Sequence, residues 1–430
     1  MSFEKRVEVI DLGDELLLGL RENSHLVFIG DKLAARGLEI DYAQVIKDDP
    51  EEIRRAFSES WERADLIITT GGLGPTVDDL TRETIAEALG LPLVFDEEIL
   101  GHIQERFARR NMEMPENNKK QCFVPEGAEI LVNRLGTAPG LFVEKEGKIL
   151  AMLPGPPREL HPMLENELIP RLAERGILHD TESYVGFRTA GIGESSLEEK
   201  LATITNEIDG LHVAFCANQG LVDVRLSSEE HGKLSFDRLK EIGHQCREML
   251  GHDFVSFGHP SIARVVFRTV RSLEKTLAVA ESCTGGLLSN AFTDIPGVSK
   301  VFAGSVISYQ NDTKIQLLDV PDALIHQHGA VSAETAVAMA TGAAERFSAD
   351  YTLSVTGFAG PDGGTENDPV GTIYIGYHSP VGVWSRKVVF QGERRSIQRR
   401  ATIAALDWMR RKLFKYKAEE VVASGVDSGD

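Results

Sequence analysis

A chain of 430 residues exceeds one ordinary domain and divides into two or three at about 150 residues each. Its 46 Lys and Arg against 66 Asp and Glu leave a net charge of −20, which argues against a general binder of nucleic acid or anionic membrane. A hydrophobic fraction of 42% excludes wholesale disorder, and no run approaches the ~20 apolar residues of a spanning helix. The start, Met1–Arg6, lacks a signal-peptide apolar block. Four scattered cysteines (Cys122, Cys216, Cys246, Cys283) show no Cys-x-x-Cys pair. The expectation is a soluble, reduced, cytoplasmic protein with neither zinc nor disulfides.

The first ~170 residues alternate short apolar strands with amphipathic helices, the pattern of a mostly parallel α/β sheet. Val7–Leu12 reads as a strand, Leu26–Arg36 as a helix closed by Gly37, and Leu38–Val45 as the next strand. Pro50 opens a helix in which Ile53, Ala56, Phe57 and Trp61 recur at helical spacing. Leu66–Thr70 is a buried strand, followed by Gly71-Gly72-Leu73-Gly74-Pro75-Thr76-Val77-Asp78-Asp79 and a helix to Leu89. Ile149–Leu153 is another strand, broken at Pro154-Gly155-Pro156-Pro157.

From about Gly176 the texture changes to a small α+β module. It holds strand Tyr184–Thr189, helix Leu197–Ile204, a hairpin of His212–Cys216 and Val222–Leu226, and helix Lys233–Leu250. Phe257-Gly258-His259-Pro260 marks the next boundary. The βα alternation then resumes. The reading divides the chain into 1–172, 173–257 and 258–415, with 416–430 small, polar, acidic and expected to be disordered.

In the last domain Ala280-Glu281-Ser282-Cys283-Thr284-Gly285-Gly286 joins an apolar strand to helix Leu287–Phe292. Glycines at such a turn free N–H groups to face an anion, and the Ser282 and Thr284 hydroxyls complete a cradle; the same residues also serve as an ordinary turn and cap. A second loop, Thr356-Gly357-Phe358-Ala359-Gly360, follows strand Tyr351–Val355, so both loops meet at the carboxyl edge of one sheet, where α/β folds bind ligands. Arg394 could reach a phosphate or carboxylate. Between the loops lie Ser299, Tyr309 and Lys314. A serine needs a base, and a desolvated lysine can serve. Cys283, at a helix start, is the competing nucleophile.

In the first domain Gly71, Gly72, Gly74, Thr76, Asp78, Asp79 and Thr81 form the strongest local signal. The glycines let backbone approach a pyrophosphate, and the carboxylates, with Glu15, suit a hard divalent ion. Gly155 and Pro156 wall one side of such a pocket, or simply end a strand.

Together Ala280–Gly286, Gly297–Ser299, Tyr309–Lys314, His328-Gly329-Ala330-Val331-Ser332, Thr356–Gly364 and Pro369-Val370-Gly371-Thr372 resemble the CinA C-terminal domain, the nicotinamide mononucleotide deamidase family. The resemblance implies hydrolysis of the carboxamide of nicotinamide mononucleotide, in pyridine-nucleotide salvage, with no metal. It puts the nucleophile on Ser299, supported by Tyr309 and Lys314. Ser282, Thr284, Gly285, Gly286, Thr356, Gly357, Gly360 and Arg394 fall on the ligand side, and loop N–H groups on the oxyanion.

Gly13–Gly19, Thr69–Thr81, Pro115–Asn118, Gly136–Gly140 and Leu153–Pro157 resemble CinA's molybdopterin-binding-like domain. That implies a three-layer α/β fold and an ADP-ribose pyrophosphatase using Mg, Mn or Co. Its site residues would be Glu15, Asn23, Gly71, Gly72, Gly74, Thr76, Asp78, Asp79, Thr81, Asn118, Gly155 and Pro156, with metal on Asp79, Asp78 and Glu15. Here Gly13-Asp14-Glu15-Leu16 replaces the family's Gly-Thr-Glu-Leu, and Asn23-Ser24-His25 its Asn-Thr-Asn. Asp14 adds repulsion toward a pyrophosphate unless a metal offsets it. The middle piece is similar to CinA's KH-like module, yet Gly191-Ile192-Gly193-Glu194 is not a Gly-x-x-Gly clamp. A homodimer is implied by the resemblance alone. Two rival readings are a nucleotide-binding regulator without turnover and a molybdopterin-type binding protein.

Overall fold

The computed structural model describes residues 5–178, 182–229 and 233–424, with side chains to 414. It divides into two compact units, Met1–Tyr184 and Val185–Asp430.

The first unit contains β1 (Val7–Leu12), β2 (Tyr42–Ile46), β3 (Leu66–Thr70), β4 (Leu93–Phe95), β5 (Phe123–Pro125), β6 (Glu129–Leu131), β7 (Gly140–Lys145) and β8 (Lys148–Leu153). One sheet has the order β2-β1-β3-β8-β7-β6, while β4 and β5 pair separately. Strands β2, β1, β3 and β8 run parallel; β7 turns back on β8 as a hairpin. Central β3 is buried at every position, its Leu66–Ile68 apolar run and the two threonines after it covered on both faces.

Helix Pro50–Arg63 starts where Asp49 accepts the Glu51 and Glu52 amides, and it buries Ile53, Ala56 and Phe57. The strand expected at 38–45 begins later, at Tyr42. Gly37 and Leu38 instead close the preceding helix, Ser24–Ala34, through bonds to the Ala34 and Leu33 carbonyls.

The second unit holds a small sheet of β9 (Tyr184–Ala190), β10 (Leu211–Asn218), β11 (Leu221–Ser228) and β12 (Phe254–Phe257), ordered β10-β11-β9-β12. A larger sheet follows: β13 (Leu277–Glu281), β14 (Phe302–Ile307), β15 (Tyr351–Gly357), β16 (Thr372–Ser379) and β17 (Gly382–Val389), ordered β14-β13-β15-β16-β17. The first three are parallel and the last two antiparallel.

Helix Ala333–Phe347 packs closely on this sheet and on the end of helix Asn311–Leu318, and one glycine permits each approach. A Cβ on Gly342 would sit 1.8 Å from the Leu318 carbonyl oxygen, and one on Gly376 2.2 Å from that of Ala336. The final helix, Arg394–Ser424, ties the two sheets together. Its buried Arg410, paired with Asp407, donates to the Phe254 and His252 carbonyls at 2.7 and 2.6 Å. That helix reaches Ser424, through much of the stretch expected to be a disordered tail from 416; residues 425–430 lie outside the described residues. Among the described residues, no helix is long and apolar enough to cross a membrane.

Candidate functional sites

In the second unit the two glycine loops leave adjacent parallel strands, β13 and β15, and the Ser282 amide donates to the Val355 carbonyl at 2.9 Å. The carboxyl edge therefore brings them together as expected. Beneath them lies Lys314, 1% exposed, on helix Asn311–Leu318. Its Nζ donates to the Ser308 carbonyl at 2.8 Å and the Tyr309 carbonyl at 3.4 Å, and stands 3.2 Å from Ser282 Oγ. Burial without an acid partner drives its pKa down to about 8. A free amine so placed can give two N–H groups to the carbonyls and turn its lone pair to the Ser282 hydroxyl.

Arg394 opens the final helix and donates to the Gly360 carbonyl at 2.5 Å and to the Tyr309 phenol at 2.6 Å. Tyr309 is more than half exposed, so its ring stands at the mouth of the site. The buried Thr356 hydroxyl donates to the Ala330 carbonyl at 2.7 Å, which fixes the 328–332 segment rather than leaving that proton for a ligand. Thr284 Oγ1 is buried and has no partner among the described residues, so it remains open to one.

Two expectations change. Ser299 lies exposed in the short turn Val298–Lys300 and makes no side-chain hydrogen bond to Lys314 among the described residues; the serine that Lys314 touches is Ser282. The amides of the first loop are also largely committed. Gly286, Leu288 and Ser289 donate to the Glu281 carboxylate at 3.0, 3.0 and 2.7 Å, Gly285 to the Ser282 carbonyl, and Leu287 to that of Thr284. Among the described residues, only the Cys283 and Thr284 amides of this turn remain for an anion. Sequence reading passed over Glu281 because an acid at a strand end looks like a solvated one, yet it is wholly buried. Cys283 is buried, and burial pushes its thiol up to about 12, so the helix start does not make it a thiolate.

In the first unit the segments after β1, β2, β3 and β8 converge: the Gly13 amide bonds the Ile46 carbonyl, and the Gly71 amide that of Leu153. The 71–81 loop is braced internally. Asp79 accepts the Thr76 amide at 2.8 Å and the Thr76 hydroxyl, and a Cβ on Gly72 would overlap the Thr81 hydroxyl at 1.9 Å. Lys120 clamps the Thr76 and Asp79 carbonyls from below. Asn118 bonds Gln121, which holds the Leu73 carbonyl, so its role is to support the loop. Asn23 caps helix Ser24–Ala34 and is gripped by buried Asp11 at 2.6 Å.

Glu15 and Asp79 do share a field, centred on Asp48, which sequence reading missed. Burial raises the Asp48 pKa, and Asp14, Glu15 and Asp79 push it further, against a bond from the Asp14 amide. His25 is buried with Nδ1 unpartnered; desolvation lowers its pKa in spite of Asp11 and Glu15, so the ring is neutral. Asp78 points to solvent, and Gly155 packs beside Gly71 with Pro156 preceding helix Pro157–Met163. No three His, Cys, Asp or Glu side chains converge as a metal cage among the described residues.

Comparison with known proteins matches residues 8–174 to a probable molybdopterin binding domain, 186–256 to the damage-inducible protein CinA KH domain and 259–413 to the CinA C-terminal domain. A putative competence-damage inducible protein of Caldicellulosiruptor bescii is 41% identical over 410 residues, covering 95% of this chain and 99% of that one. One from Acetivibrio thermocellus is 40% identical over 414 residues, with the same shares. Among solved structures, the competence/damage inducible protein CihA of Agrobacterium tumefaciens is 35% identical, covers 34% of this chain and 91% of that chain, and gives a TM-score of 0.34.

Proposed function

The chain belongs to the CinA family, and on that premise we propose that its C-terminal domain hydrolyses nicotinamide mononucleotide to nicotinate mononucleotide and ammonia. The observation that carries the reading is Lys314: a buried lysine with no acid partner among the described residues, held at a hydroxyl, is built to accept a proton near neutral pH. In this scheme a serine attacks the carboxamide carbon and Lys314 takes the serine's proton. The leaving ammonia departs protonated, and water releases the acyl-enzyme. The Cys283 and Thr284 amides and the Thr284 hydroxyl are the donors left for the developing oxyanion, and Arg394 with Tyr309 holds the anionic end of the substrate.

The family resemblance gives the attack to Ser299; the contact with Lys314 favours Ser282. Ammonia release from Ser299→Ala, Ser282→Ala and Lys314→Ala separates them. Lys314→Ala is inactive under either reading. Inactive Ser299→Ala beside a weakened Ser282→Ala assigns attack to Ser299, and the reverse pattern assigns it to Ser282. Full turnover in Lys314→Ala removes the proposal.

We further propose that the N-terminal domain binds ADP-ribose and cleaves its pyrophosphate with a divalent metal (Mg, Mn or Co). No cage made by protein alone forms among the described residues, but an ion shared with substrate phosphates needs only one or two carboxylates. The mutual repulsion around Asp48 shows negative charge that a cation would relieve. Asp48, Glu15 and Asp79 would hold that ion, and it would neutralise charge on the phosphates. The family resemblance further supports a homodimer, and the scattered cysteines a cytoplasmic setting.

A further inference from the structure

Apart from the Lys314 site, the second unit contains a cleft of about 730 Å³. Helix Ile262–Ser272 directs Arg264 and Arg268 into it, one turn apart and therefore on one face. Both are exposed, and neither side chain has an ion pair or hydrogen bond among the described residues. By contrast Arg188, Arg410 and Arg411 are each paired with Asp. The one carboxylate in the lining, Asp294, already accepts the Asn290 amide at 3.0 Å. The lining histidine, His259, faces Asp223 at 3.3 Å. Phe257, Leu287 and Ile295 supply an apolar wall.

We infer that this cleft binds a nucleoside diphosphate, with its phosphates between Arg264 and Arg268 and its heterocycle against Phe257, Leu287 and Ile295. The volume suits a small ligand rather than a polymer, and the acidic chain disfavours a polynucleotide. Two guanidinium groups with no ion pair or hydrogen bond among the described residues can take phosphate oxygens without breaking an existing ion pair. None of Ser282, Ser299, Tyr309, Lys314 or Arg394 lines the cleft, so it is a separate site from the one proposed above.

The test is calorimetric titration of ADP into full-length protein carrying Asp79→Asn and Arg394→Ala, which silence the two nucleotide sites proposed above. ADP binds this chain, pyrophosphate displaces it, and adding Arg264→Gln with Arg268→Gln weakens binding at least about tenfold. Arg268→Lys keeps the charge and recovers part of the loss. Matching melting curves show that exchanging these exposed side chains leaves the fold intact. Three results overturn the inference: no binding at millimolar ADP, equal affinity with and without the arginines, or adenosine binding as tightly as ADP.

Discussion

Lys314 carries the heaviest consequence of any single residue. With its pKa brought down to about 8 from an ordinary 10.5, the deamidation rate should rise with pH along an acidic limb near pH 8. The same shift acts on stability. Between pH 8 and 10.5 the unfolded chain binds the proton that the folded chain has released, so stability climbs with pH across that window. Chemical denaturation should show the wild type gaining stability relative to Lys314→Met as pH rises through that window, and a constant difference would contradict a neutral buried amine. Cys283 gives the opposite expectation: with its thiol raised to about 12, Cys283→Ala should keep most deamidase activity, and iodoacetamide at pH 8 should leave the residue unmodified. The sequence made Ser282, Tyr309, Lys314 and Arg394 legible because the family motifs mark them. It could not show which serine meets the amine, because that depends on how strand β13 and helix Asn311–Leu318 face each other.

At the scale of elements, the strand-to-helix turn after β13 illustrates how a motif misleads. Glycine-rich turns before helices usually leave amides for an anion, but here Glu281 accepts three of them together with the Ser289 hydroxyl. Glu281→Gln exchanges a carboxylate for a group with a single acceptor oxygen, so at least one donor of the turn loses its partner. The expected cost is about 1–3 kcal/mol, read as a lower Tm, with kcat falling because the turn also carries Ser282 and Thr284. An unchanged melting curve would mean the carboxylate is replaceable by solvent. The strands and helices that flank the glycine loops were readable from periodicity, whereas β4 to β7, β14, β16, β17 and helices Glu97–Ala108, Ala333–Phe347 and Arg394–Ser424 were not read, and the strand expected at 38–45 begins only at Tyr42. There the pattern of apolar residues was right, but the backbone bonds of Gly37 and Leu38 close a helix first.

Across the whole molecule, on the proposed reading, the two units carry separate chemistry, and their activities should part cleanly. Asp79→Asn should abolish metal-dependent AMP formation from ADP-ribose while ammonia release continues, and simultaneous loss of both would indicate a misfolded chain. A fragment from 185 to 430 should keep its deamidase activity. Cutting at 258 instead removes the Phe254 and His252 carbonyls that Arg410 now holds, and a lower Tm is expected for that shorter piece. Such a dependence was invisible in the sequence, where nothing singles Arg410 out. The two glycines at the contacts of helix Ala333–Phe347 carry a last consequence. Because Gly342 and Gly376 leave no room for even a methyl group, a bulkier residue must lift that helix. The helix begins at Ser332, close to the Ala330 carbonyl that anchors Thr356. A lesion that touches no substrate would thus loosen the second glycine loop from behind, and in a screen it would look like a defect of recognition.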